Sequence, residues 1–284
     1  MRVLIGAAVL VALAVWVGTD AVLAGLAAID PPAVLAALAV GLLTTLCAAG
    51  RWCLVARGLG LALPFATAVA DTYRAVALNS VLPAGVLGDV HRAVAHGRAD
   101  GRGLRAVVLE RTAGQAVVVV AGLLVLLAQP VLLGGLLPGF AVGAGLLLAA
   151  SRVPRVRSLL VPFLVDVRRF TARTALAVVA LSLTALAGYL VLFVVAARAA
   201  GVTAPVGELL PLLVVALLAM VLPLNVGGFG PREAAGTVAF SAAGLGAAQG
   251  LTTAVVYGVL GMIACLPGLA VLLRPVPRPE PLPC

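Results

Sequence analysis

The chain has 284 residues, of which 63% are apolar and 10% charged, and its mean hydropathy is +1.23. There is too little polar sequence to cover even one water-soluble domain, so lipid must be the solvent for most of the surface and a soluble enzyme is excluded. All 19 basic residues are arginine against 10 acids, a net charge of +9, and they fall between apolar runs, the positive-inside pattern rather than the solvated basic face of a nucleic-acid binder.

Apolar stretches near the ~20 residues needed to cross a bilayer run from Val3 to Ala28, Ala33 to Gly50, Thr112 to Ala128, Val131 to Ala150, Ala175 to Ala197 and Thr252 to Leu273. The first is longer than a signal-peptide core and reads as a retained anchor. Arginine clusters follow the second span (Arg51, Arg57), precede the third (Arg98, Arg102, Arg105, Arg111) and separate the fourth from the fifth (Arg152 to Arg173). The joints Asp30-Pro31-Pro32 and Gln129-Pro130 carry none. The clusters therefore belong on the cytoplasmic side, with both termini.

Phe65 to Arg92 is substantially apolar yet lies between two cytoplasmic clusters, so it cannot cross once. A re-entrant hairpin broken at Asn79 to Gly88, including Pro83 and Gly85, restores parity, and such irregular backbone is tolerated only against protein or a water-filled cavity. Glu208 to about Gly244 behaves alike, with Pro223, Gly227, Gly228 and Gly230 as its break. Three full crossings in place of this second hairpin and the last span satisfy the same parity.

The two breaks repeat. Val81 to Arg92 and Val221 to Arg232 both read V-L-P-x-x-V-x-G-x-x-x-R without gaps, 140 residues apart. The same offset roughly superposes spans two and three on spans five and six, and a slightly shorter one places span one on span four, giving halves of opposite orientation, about 1–128 and 131–273. The expected fold is all-α: one polytopic domain over residues 1–274, with about six transmembrane helices and two re-entrant hairpins in an inverted repeat. That is the plan of many secondary transporters, whose site lies at the repeat interface. A proline-rich tail at 275–284 reads as disordered.

These residues also resemble the transmembrane region of lysylphosphatidylglycerol synthases, the flippase-like integral membrane family. The matching pieces are Arg51-Trp52, N-x-x-L-P-x-x-x-x-G-D-x-x-R from Asn79 to Arg92, Glu110-Arg111, and L-P-x-x-x-G-G-x-G-x-R-E from Leu222 to Glu233. Leu87 stands where many relatives have a second glycine, and no aminoacyl-transferase domain follows the last span. The resemblance implies movement of lipids or lipid-linked head groups between leaflets, with synthesis left to a separate lipid-modifying enzyme.

Charges at membrane depth cost about 2.5–3.5 kcal/mol each and usually face a bundle interior or cavity. Asp71 and Arg74, three apart on a helix, read as a local ion pair. Arg92 reads either as a positive-inside charge or as a phosphate contact. Arg232 follows the glycine-rich break and opens a half-helix with Pro231 in its first turn, so helix N–H groups and a guanidinium fork are expected to face an anion; the plain alternative is a surface pair with Glu233. Glu110-Arg111 reads as the opening of the third span.

The candidate head-group site is thus Arg92, Arg232, Asp89, Glu233 and Asn79. No residue is assigned a catalytic role, and no metal or cofactor is expected: Cys47, Cys53, Cys265 and Cys284 form no CxxC pair, and no catalytic pattern includes His91 or His96. The leading function is a cell-membrane lipid translocator whose cargo is an anionic or aminoacylated phospholipid or a polyprenyl-linked glycolipid. The alternative is an integral membrane enzyme or enzyme subunit on a lipid-linked substrate, with Asp89 or Glu233 as acid or base.

Overall fold

The computed structural model describes residues 23, 27–81, 87–95, 101–129, 165–221 and 230–272, with isolated positions at 134, 145, 148, 149, 152 and 163. The first and fourth predicted spans, Pro83, Gly85, Pro223, Gly227, Gly228 and the tail lie outside the described residues, apart from a few isolated positions in those two spans. Within them the protein is all-helical.

Helix α1 (Pro31–Gly58) starts where Asp30 accepts the Ala33 N–H at 2.9 Å and two prolines occupy the first turn, whose free N–H groups need no partner in a proline. It does not stop at Gly50. It continues through Arg51 and Trp52 to Gly58, about 42 Å in all at ~1.5 Å per residue.

Two short helices follow, α2 (Phe65–Val81) and α3 (Leu87–Ala95), packed against each other. A Cβ on Gly88 would overlap the Ala75 carbonyl, so the absence of a side chain there sets how closely α3 approaches α2. Helix α4 (Arg102–Ala128) begins ten residues before the predicted third span, carrying Glu110 and Arg111 inside a helix rather than at its mouth. Helix α5 (Ala172–Ala199), capped by Thr171 on the Thr174 N–H at 3.2 Å, matches the fifth span closely.

A second packed pair of short helices, α6 (Val206–Ala219) and α7 (Pro231–Ala242), precedes α8 (Ala247–Ala264) and α9 (Leu266–Leu272). Gly230, before α7, has φ +111°, a backbone that only glycine adopts cheaply. Among the described residues, four stretches are long and apolar enough to cross a membrane: α1, α4, α5 and Ala247–Val271.

The C-terminal end of α1 and the N-terminal ends of α4 and α5 meet. Arg102 donates to the Leu59 carbonyl at 3.3 Å, Arg105 pairs with Asp166 at 2.8 Å, and Gly58 packs on Phe170. Arg57, Arg102, Arg105, Arg169 and Arg173 therefore share one end of the molecule. An apolar core from Ala33, Leu126, Phe193, Leu213, Phe240 and Leu260 fills the opposite half, while Leu124, Leu127, Leu176 and Leu183 point outward. An apolar exterior around an apolar core is what lipid, not water, permits.

Candidate functional site

The buried charges converge. Arg51 lies seven residues before the end of α1, about 10 Å along its axis, and Glu110 lies a similar depth into α4. Glu110 bridges two helices: one carboxylate oxygen accepts from Arg51 at 2.7 Å and the other from Arg92 of α3 at 3.1 Å. Asp89 takes Arg92 on one oxygen at 2.8 Å; its other oxygen pairs with Arg111 at 2.8 Å and accepts the Asn79 amide at 3.1 Å.

Asn79 is also a clasp between helices. Its side-chain carbonyl accepts the Gly88 N–H at 2.8 Å, satisfying a first-turn donor of α3 that has no partner within that helix. Arg92 donates as well to the Thr72 hydroxyl at 3.3 Å, and its guanidinium stacks 4.5 Å from the Trp52 ring centroid. Arg92 and Glu110 are each only 1% exposed. Charges so deep persist only when paired, as these are.

The start of α7 contributes a smaller group. Glu233 reaches back to the Gly230 N–H at 2.6 Å, one arm of a capping box, and its other oxygen accepts Arg232 Nε at 2.9 Å and pairs with Arg232 Nη2. The sequence reading gave the N–H groups at this helix start to an anion. Glu233 itself takes the one on Gly230. Arg232 lies 5.3 Å from the Tyr257 ring centroid, and Tyr257 stacks on Phe193 at 3.8 Å.

Between these groups lies a cavity of about 320 Å³. Arg92, Arg232 and Asn79 line it together; Asp89 and Glu233 are held behind their arginines as acceptors. Arg51, Glu110 and Arg111, outside the head-group set expected from the sequence, line the cavity too. Apolarity alone makes Arg51 a flanking positive charge and Glu110-Arg111 the opening of a span. The helices run on past the apolar stretches, so Arg51 and Glu110 at the edges of those stretches are buried and lie within helices. Asp71 and Arg74 form the expected local pair at 2.7 Å.

The family model for the lysylphosphatidylglycerol synthase TM region matches residues 3–268. The chain belongs to this family. No curated protein and no solved structure gives a match. In this member of the lysylphosphatidylglycerol synthase TM family, Arg51, Asn79, Arg92, Glu110, Arg111 and Arg232 of the quoted motifs line the cavity, with Trp52, Asp89 and Glu233 held behind the arginines. Glycine serves the cavity wall at one point, where a Cβ on Gly114 would come within 2.9 Å of Arg51 Nη2; elsewhere Gly250 lies against the Gly236 carbonyl where α8 crosses α7.

Proposed function

We propose that this protein is a lipid translocator, in which a polar head group occupies the arginine-lined cavity while the hydrocarbon chains stay in the bilayer. The observation that carries the reading is that Arg92 and Arg232, at equal places after the two V-L-P breaks, line one cavity. Guanidinium groups match phosphate oxygens bidentately, and an interior site offers little competing water.

The same reading makes α2–α3 and α6–α7 re-entrant hairpins that approach from opposite faces. Support comes from their lengths of 17, 9, 14 and 12 residues, each short of the ~20 that a crossing needs. In an inverted repeat each arginine would serve one access state. The arginine-rich end of α1, α4 and α5 then faces the cytoplasm, in the cell membrane, with both termini on that side.

The enzyme alternative draws less support from the geometry. A general acid or base needs an open side toward substrate, whereas both oxygens of Asp89 and both of Glu233 already hold protein donors. Reconstitution with head-group-labelled lipids separates the two readings. Redistribution between leaflets with the lipid recovered at unchanged mass is expected; a chemically modified lipid without redistribution would replace translocation by catalysis.

A further inference from the structure

The turn that joins α1 to α2 is ill suited to water. Surface turns draw on Gly, Asn, Asp and Ser, whereas residues 59–65 read Leu-Gly-Leu-Ala-Leu-Pro-Phe, with no polar side chain among them. Leu59 and Leu61 are buried with Trp52 and Val55. Ala62, Pro64 and Phe65 are exposed, Phe65 at 51%. Apolar side chains at the charged end of a membrane protein are covered where head groups give way to acyl chains.

Beside this turn lies a cleft of about 500 Å³, lined by Cys53, Arg57 and residues 60–64. Among the described residues it shares no lining residue with the central cavity. Arg57 is exposed on the last turn of α1. The carbonyls of that helix end do not need its guanidinium: the Gly60 N–H donates to the Arg57 carbonyl at 3.0 Å and the Leu61 N–H to the Ala56 carbonyl at 2.9 Å, a closure that Gly60 permits with φ +74°. Arg102, which donates to the Leu59 carbonyl, brings a second guanidinium to 3.2 Å from the point a Cβ on Gly60 would occupy. The cleft therefore has positive charge along one edge and Leu61, Ala62, Leu63 and Pro64 along the other. A phospholipid near its glycerol has the complementary division, phosphate on one side and hydrocarbon on the other.

We propose that this cleft binds the phosphate of an anionic phospholipid from the adjoining leaflet, held as a resident lipid and not carried as cargo. Arg57 contacts the phosphate with Arg102 beside it, and the chains lie over Ala62, Pro64 and Phe65. The bound lipid fixes the depth of the turn and hence of α2, which starts at Phe65 and brings Thr72 and Asn79 to the central cavity. The site stands apart from the translocator reading, and its test measures no flux.

A bimane fluorophore on Ala66→Cys in the cysteine-free chain reports contact with lipid next to the cleft, since Ala66 is exposed and does not line it. The protein is reconstituted in phosphatidylcholine vesicles that contain a minor fraction of lipid with a nitroxide high on one chain, either phosphatidylglycerol or phosphatidylcholine. The ratio of quenching by the two gives relative occupancy. Phosphatidylglycerol is expected to be preferred by about fivefold, the gain from one arginine at an anionic surface, and Arg57→Gln should remove most of the preference. Arg173→Gln deletes the same charge from the same end of the molecule but not from the cleft, and should leave the preference intact, as should Arg232→Ala in the central cavity. Bimane on Gly207→Cys, at the other end, should show none. Absence of a preference at Ala66→Cys, equal losses in Arg57→Gln and Arg173→Gln, or an equal preference at Gly207→Cys would overturn the proposal, the last two by reducing it to general surface charge. Loss of the preference on adding millimolar inorganic phosphate at constant ionic strength would make the ligand a soluble phosphate and overturn the lipid assignment.

Discussion

Glu110→Gln is the sharpest perturbation of the charged network. Among the described residues it replaces the one carboxylate that pairs with both Arg51 at 2.7 Å and Arg92 at 3.1 Å, leaving Asp89 on Arg92 and Arg111 and none on Arg51. Glutamine keeps an acceptor for one arginine but no charge for either. Removing one partner of a buried pair costs about 3–5 kcal/mol, because the remaining charge stays buried. For a chain of this size that lowers the melting temperature by on the order of 10 °C. Thermal unfolding of the purified protein in detergent measures it. The control is Arg51→Gln in the same chain: removing the stranded cation should make the double variant more stable than the summed single effects by about 1–3 kcal/mol. A Glu110→Gln protein melting within about 2 °C of wild type, or strict additivity in the double variant, would show that the network does not hold these helices.

Gly88→Ala should destabilise by about 1–3 kcal/mol, since its Cβ meets the backbone carbonyl of Ala75 rather than a movable side chain. Gly207→Ala, in open space, should melt as wild type. Arg92→Lys and Arg232→Lys should each lower lipid flux by about tenfold, because lysine keeps the charge but loses a bidentate charge-assisted bond of ~1.5 kcal/mol; wild-type flux in both would reduce these arginines to point charges. In a cysteine-free background, Cys placed at exposed Ala172 should react with membrane-impermeant reagent only from the cytoplasmic side and Cys at exposed Gly207 only from outside. The reverse pattern would invert the orientation.

Much of the fold is legible in the sequence because hydropathy and arginine placement are one-dimensional signals. The fifth span was located to within three residues at either end, since Thr171 caps it and polar residues flank it. Apolarity does not mark the helix limits at Arg51 and Thr112. Arg51 to Gly58 and Arg102 to Arg111 stay helical: their charges are paired inside the protein or lie at the end where α1, α4 and α5 meet. For the same reason apolarity hides half of the site. Arg92, Arg232, Asp89 and Glu233 were legible through the repeated spacing after two breaks, whereas Glu110 has no counterpart in that repeat. Its role depends on α1, α3 and α4 meeting, and no local pattern encodes that.

The central claim is that a head group passes between the leaflets through the cavity held by Arg92 and Arg232. Its most direct test is the redistribution of labelled phosphatidylglycerol in proteoliposomes, comparing wild type with Arg92→Ala and Arg232→Ala at matched reconstitution and topology. The account predicts that wild-type protein speeds redistribution without changing the lipid chemically and that each alanine variant largely abolishes it. Redistribution at the wild-type rate in both alanine variants would contradict the account.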